Sequence, residues 1–161
     1  MSVLIAIDPG MSGGIAWQIA GGKPAATKMP ETEPDIAEIL DTPEIYTALV
    51  SGHEVVAYME NVPIGMAGRG AAMSKLNANA GYIRGLLCGL GIRTVLIRPT
   101  KWQQFYEFGK KGKKPDGKPD DTAWKNKLKA EAQRRFPDIK VTLDTADALL
   151  LLDYARSQPN P

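Results

Sequence analysis

Two short runs without a polar side chain most constrain this chain: Val3-Leu4-Ile5-Ala6-Ile7 and Val55-Val56-Ala57-Tyr58-Met59. Neither alternates apolar with polar residues, so neither suits a strand with one wet face. Each reads as a central strand covered on both sides, which calls for a layered α/β domain. Both runs end on an acid, Asp8 and Glu60. A third acidic feature, Asp144-Thr145-Ala146-Asp147, heads the run Ala148-Leu149-Leu150-Leu151-Leu152. On a helix, acids three apart share one face. A single carboxylate after a strand often only caps a turn, and one before an apolar helix is often an N-cap. Four of them in these contexts point instead to distant segments that bring carboxylates together.

The rest of the chain supplies the layers. Residues 2 to 7 read as a buried strand, and Asp8 to Gly14 as the tight turn after it. Ile15 to Ile19 and Ala25 to Met29 follow as strands joined in hairpins. Pro34 to Leu40 and Pro43 to Val50 have helical spacing, each with Pro near its start, where a missing N–H costs nothing. After Glu60 come a glycine-rich loop, a long helical stretch from about 71 to 90, and a further buried strand at Thr94 to Ile97. Thr100 to Phe108 reads as a short helix. The tract 109 to 119 has no apolar side chain to bury and reads as a mobile loop. Asp121 or Thr122 is placed to cap the next helix, which Pro137 stops, and a last helix starts near Asp144. This order is mixed α/β, with one domain over 1–157, a polar tail at 158–161, and neither an internal repeat nor a linker.

Composition excludes several kinds of chemistry. With one cysteine, Cys88, there is no disulfide framework and no Cys-rich zinc site, and its apolar surroundings predict a core position. With one histidine, His53, there is no second His to make a zinc pair, and its turn-like context predicts the surface. No apolar stretch approaches the roughly 18 residues of a membrane span, and no signal peptide precedes Asp8. The expectation is a cytoplasmic protein of a bacterial or phage-infected cell, not secreted and without membrane contact. The net charge of +2 hides an asymmetry: residues 1–60 carry two basic side chains against nine acids, and residues 93–135 carry thirteen against five. A basic block of that size is the footprint of a polyanion-binding surface.

Clustered carboxylates and a polyanion suggest phosphodiester hydrolysis. That reaction is slow because the phosphate repels an anionic nucleophile and the leaving alkoxide is poor. Two divalent ions about 3.5–4 Å apart address both problems. Mg²⁺, or Mn²⁺ in its place, takes hard oxygen ligands and keeps several waters, so a few carboxylates suffice. In this reading Asp8 bridges two ions, Glu60 holds one, and Asp144 with Asp147 holds the other.

The combination Ile-Asp-Pro-Gly-x-Ser-Gly at 7 to 13, Glu60 after a buried strand, and Asp144-x-x-Asp147-Ala-Leu resembles the RuvC-type Holliday junction resolvases of the ribonuclease H superfamily. The likeness spans nearly the whole chain and is greatest to the branch with phage and plant organellar resolvases. Pro99-Thr100-Lys101-Trp102 resembles that branch's Pro-x-x-Trp element, and Lys125 resembles its lysine twelve residues before a Phe-Pro pair, here Phe136-Pro137. Two departures stand out: Val141-Thr142-Leu143 replaces a common Gly-Arg, and the 109–119 tract is long and rich in lysine.

The resemblance implies a ribonuclease H-like mixed five-stranded sheet flanked by helices. It also implies two Mg²⁺ ions on Asp8, Glu60, Asp144 and Asp147, a lysine near the scissile phosphate in Lys125, with Lys101 as a second basic candidate, and paired nicks in four-way junctions. It further implies a homodimer, which suits the near two-fold symmetry of a junction. The 71–90 helix is the candidate dimer surface, with Ala72, Leu76, Asn79, Ile83 and Leu86 or Leu87 at helical spacing and small residues at Ala78, Ala80 and Gly81. The same stripe equally suits packing on the domain's own sheet. Candidate DNA contacts are Lys110, Lys111, Lys113 and Lys114, together with Ile64, Met66 and Arg69 of the glycine-rich loop, placed to reach a junction centre.

Three other readings compete. Asp-Pro-Gly-Met-Ser-Gly also resembles the phosphate turn of sugar-kinase and actin-like ATPases, but those need a duplicated domain and this chain has room for one. A monomeric ribonuclease H acting on RNA–DNA hybrids would use the same acids. A non-cleaving branched-DNA binding protein would not need all four.

Overall fold

The protein is described here from a computed structural model, which covers residues 2–62 and 70–159. These residues form a five-stranded sheet with helices on both faces. In chain order the elements are β1 (Val3–Asp8), β2 (Gly14–Ile19), β3 (Ala25–Lys28), α1 (Glu33–Leu40), α2 (Pro43–Val50), β4 (Val55–Glu60), α3 (Gly70–Gly89), β5 (Arg93–Ile97), α4 (Pro99–Gln104), α5 (Asp121–Arg135) and α6 (Ala146–Ser157). The sheet order is β3-β2-β1-β4-β5. The first three strands pair antiparallel, and β4 and β5 run parallel to β1, so the sheet is mixed as expected.

The two apolar runs lie side by side at the centre, Val3 opposite Val55 and Ile7 opposite Met59. Each is buried on both faces because each faces two cores. Val3, Ile5 and Ile7 pack with Val55, Ala57 and Met59 against α1, α2 and α3. Ala6 packs with Val56 and Tyr58 against α4, α5 and α6. Since side chains alternate along a strand, Asp8 and Glu60 continue the second set, Leu4-Ala6 and Val56-Tyr58, and emerge on the face that α6 covers. α6 lies across β1 and β2, with every residue from Ala148 to Leu152 buried. It is apolar all round because it is the innermost helix.

Several expectations are corrected. β5 was expected to be buried, but it is the edge strand, with Arg93 exposed and Leu96 38% exposed. Cys88 is exposed rather than in the core, because α3 turns Ala80, Ile83 and Leu87 inward and Cys88 lies one step of about 100° past Leu87. His53 is on the surface as expected. The cap of α5 is Asp120, whose carboxylate accepts from the Ala123 N–H, not Asp121 or Thr122. α6 begins at Ala146, so Asp144 stands in the turn before it.

The lysine-rich tract 109–119, expected as a mobile loop, has order of its own. Its backbone groups satisfy one another: Asp120 N–H donates to Gly112 O at 2.9 Å, Lys114 N–H to Lys118 O at 2.8 Å and Gly117 N–H to Lys114 O at 2.9 Å. Pro115 and Gly117 occupy the second and fourth positions of that last turn, where a type I turn favours them. The hydrogen bonds form without any apolar burial. Among the described residues no helix is long and apolar enough to cross a membrane.

Gly14 is where the sheet and the last helix meet. A Cβ there would stand 2.6 Å from Thr27 O and 2.8 Å from Asp144 O, both backbone atoms. Gly14→Ala should therefore destabilise the fold by about 1–3 kcal/mol through overpacking. A lowered urea midpoint at unchanged slope checks this, and an unchanged midpoint would show that the β2–α6 contact is loose.

Candidate active site

Asp8, Glu60 and Asp147 meet at the carboxyl ends of the two central strands. Asp8 and Glu60 leave neighbouring parallel strands one residue past the Ile7–Met59 pair, on the same face. Asp147 comes from the first turn of α6 on that face. Each carboxyl interacts with at least one other: Asp8 and Asp147 both push the Glu60 pKa up, and Asp8 does the same to Asp147. Burial is the larger cause in each case, because an ion loses its hydration there. Glu60 is raised to about 8 and Asp147 to about 7. Asp8 is also raised by burial, opposed by the Gly10 N–H and by the charge of Lys125.

Each acid has a distinct support. Asp8 Oδ1 accepts from the Gly10 N–H at 3.0 Å, which folds the turn after β1 around its own carboxylate. Asn79 on α3 donates to Pro9 O at 2.8 Å and pins that turn from outside. Gly13 closes it: a Cβ there would lie 2.6 Å from Asp8 Cγ and would also strike the Asp8 carbonyl. Glu60 Oε1 accepts the indole N–H of Trp102 at 2.7 Å. Trp102 is fully buried, so this bond satisfies a donor that has no water and orients the carboxylate. Thr142 and Thr145 bond reciprocally, each hydroxyl accepting from the other residue's N–H at 3.0 and 3.2 Å, and so shape the turn that carries Asp144 into α6.

The sequence-derived candidates fall into four groups. Asp8, Glu60 and Asp147 come together, whereas Asp144, half-buried, stands three residues before Asp147 with its carbonyl set against β2. Lys125, exposed on the first turns of α5, shares a cleft with Asp147 and lowers the pKa of both Asp8 and Asp147. Lys101 is exposed on α4, and Lys110, Lys113 and Lys114 on the tract before α5, while Lys111 pairs with Asp121 and faces Asp147. Ile64, Met66 and Arg69 lie outside the described residues.

The candidate dimer stripe on α3 is corrected in part. Ile83 and Leu87 are fully buried in the chain's own core, and Asn79 is committed to Pro9. Asp153, the remaining acid of α6, belongs to a separate structural network: it pairs with Arg135 at 2.7 Å and accepts from the Tyr106 hydroxyl at 3.1 Å. The parts that sequence reasoning missed are the role of Trp102, the Asn79 brace and the fit of Gly13. The Pro-x-x-Trp element was visible, but nothing in the sequence names an acceptor 42 positions away.

The donor set is all carboxylate oxygen, the type that divalent magnesium or manganese prefers. As the side chains stand, no group of three or more His, Cys, Asp or Glu among the described residues is close enough to hold a metal ion. Carboxylates of like charge stay apart unless a cation compensates them, and that repulsion adds to burial in raising the pKa values of Glu60 and Asp147. In donor type and charge the residues fit a divalent cation, which their side chains would have to rotate to ligate.

No protein-family model matches the chain, and no curated protein matches it in sequence. Among solved structures it is similar to Thermus thermophilus RuvC in complex with Holliday junction substrate, with 13% identity over 97% of this chain and 96% of that one and a TM-score of 0.55. A second Thermus thermophilus RuvC structure gives 14% identity over 96% and 95% of the two chains, with a TM-score of 0.54. The fold is ribonuclease H-like. At this identity the likeness establishes the fold alone.

Proposed function

We propose that this protein is a metal-dependent endodeoxyribonuclease that nicks branched DNA, with four-way junctions as its principal substrate. One observation carries the reading: Asp8, Glu60 and Asp147 stand on one face at the ends of the central strands, beside Lys125, in a fold shared over nearly the full length with a junction-bound RuvC. In this proposal Asp8, Glu60 and Asp147, with Asp144 from the adjoining turn, hold two Mg²⁺ ions. Bound there, the ions supply an activated water and stabilise the leaving oxygen.

The chain's own residues do the rest. Trp102 holds one oxygen of Glu60, and the Gly10 N–H holds one oxygen of Asp8, so each carboxylate keeps a second oxygen for a cation. Lys125, exposed beside Asp147, meets a non-bridging oxygen of the phosphate and offsets its charge. Lys101, Lys110, Lys113 and Lys114 carry the flanking backbone. Affinity from such contacts depends on salt, so neutralising Lys110, Lys111, Lys113 and Lys114 together should lower the slope of log binding constant against log salt by roughly 0.9 per lost contact. An unchanged slope would show that the turn only tethers α4 to α5.

The deciding experiment is incubation with a synthetic mobile four-way junction and Mg²⁺. Paired symmetric nicks with ligatable ends support the proposal, and an uncut junction under conditions where it is bound overturns it. Two-fold nicking requires a homodimer. With Ile83 and Leu87 committed to the core, the face left for a partner is the exposed one of Ala78, Gly81, Gly85 and Cys88. That commitment also favours a second reading, a monomeric nuclease of RNA–DNA hybrids, which a hybrid substrate and sedimentation of the free protein distinguish.

A further inference from the structure

Beside the acids lies a cleft that shares Lys111, Lys125 and Asp147 with the roles above and whose remaining wall none of them uses. It has two adjoining chambers, about 450 and 470 Å³. Each is within the roughly 300–1,000 Å³ typical of small-ligand sites. Gln103, Lys111 and Trp124 line both, and the inner chamber ends at Lys125 and Asp147. The outer wall is a single polar stripe, because Thr100, Gln103, Gln104 and Glu107 recur at i, i+3, i+4 and i+7 along α4 and the turn that continues it. The opposite side of α4 is fixed by buried Trp102, so the stripe has no choice but to face the cleft.

Three features shape it. The side-chain amides of Gln103 and Gln104 and the indole N–H of Trp124 make no hydrogen bond within the described residues, and none is a buried polar group lacking a partner, so each is open to exchange water for a ligand. Trp124, half-buried, makes a T-shaped contact with Phe108 at 5.9 Å, and Phe108 stacks on Tyr106 at 5.4 Å, so the indole is anchored to the core. Glu107 at the rim has φ of 53°, the only positive value at a described non-glycine residue. Such a backbone costs energy and persists where the surroundings enforce it.

Lysines at the acid end, a flat aromatic wall and a row of amides match a nucleotide in order: phosphate, then base face, then base edge. A paired base hides its edge and its faces, and chambers of this size do not admit a duplex. We propose that the cleft holds one unpaired nucleobase of the strand being cut, adjacent to the phosphate at Asp147, with Trp124 as its stacking surface and Gln103 reading its edge. Side-chain amides pair with base edges through one donor and one acceptor. The inference rests on the nuclease reading for its phosphate and extends it to a base preference.

Two measurements test it. In EDTA, fluorescent single-stranded hexamers of dA, dC, dG and dT are titrated with wild-type protein, Trp124→Leu and Gln103→Ala. Trp124→Leu should weaken every hexamer by about tenfold, the scale of base–aromatic stacking. Gln103→Ala should reduce a wild-type preference of about tenfold for one base to less than threefold. With Mg²⁺, four junctions differing only in the base beside the nick should show the same preference and the same collapse. Equal treatment of the four bases by wild type, or a preference that survives Gln103→Ala, overturns the proposal. If no junction is cut, the nuclease reading fails while the metal-free titration still decides the cleft. Gln103 is half-buried on the cleft wall and makes no side-chain hydrogen bond within the described residues, so its variant keeps the test valid if Trp124→Leu does not fold.

Discussion

Asp8→Asn should abolish nicking while leaving junction binding intact. The substitution keeps the size of the side chain and its bond from the Gly10 N–H, and removes only the charge. If Asp8 bridges two ions, the rate loss is on the order of a thousandfold or more, equivalent to about 4 kcal/mol in the barrier. Binding should hold or tighten, since affinity comes from lysines and an anion has been removed from their midst. Glu60→Gln, Asp144→Asn and Asp147→Asn should follow the same pattern. Asp153 is not a neutral control for this series, because its carboxylate holds Arg135 and Tyr106. Glu38, exposed on α1 on the far side of the sheet, is the better one. The comparison is single-turnover nicking against gel-shift affinity, and near-normal nicking by Asp8→Asn in Mg²⁺ would falsify the site.

Without metal, the same acids should make the protein less stable as pH rises. Glu60 titrates near 4.5 when unfolded and at about 8 when folded, and Asp147 moves from 3.8 to about 7. Raised folded values mean that the folded state binds protons more tightly. The stability they contribute is complete below about pH 4 and is lost as pH climbs through 7 and 8. Glu60→Gln removes one of these groups and keeps an oxygen for Trp102. At pH 8 in EDTA it should therefore be more stable than wild type, by on the order of 1–3 kcal/mol once the coupling among the three acids is discounted. Near pH 4.5 the two should melt together. Saturating Mg²⁺ should raise the wild-type melting temperature at pH 8 more than that of the variant, because a ligand stabilises the state that binds it. A Glu60→Gln protein that melts lower than wild type at pH 8 in EDTA would mean that the carboxyls are not crowded.

The central layer was legible in the residues because burial on both faces leaves no room for polar side chains. Val3 to Ile7 and Val55 to Met59 announce themselves as inner strands, and the same alternation that sends Ala6 and Tyr58 toward α6 sends Asp8 and Glu60 there too. Pro34 and Pro43 mark helix starts because a helix's first N–H groups have no partner within it. Edges, faces and braces were not legible, since each depends on what lies across from a residue. Arg93 to Ile97 has a core strand's composition and an edge strand's position. Only the rotation of α3 against the sheet decides that Leu87 is inside and Cys88 outside. The pairing of Trp102 with Glu60, the braced turn at Pro9 and the cleft between α4 and α5 join segments tens of residues apart. By itself the sequence determined which side chains have to be buried and which acids end the strands. Tertiary packing decided which acids meet, because local periodicity sets the direction a side chain points and only the completed chain sets what it points at.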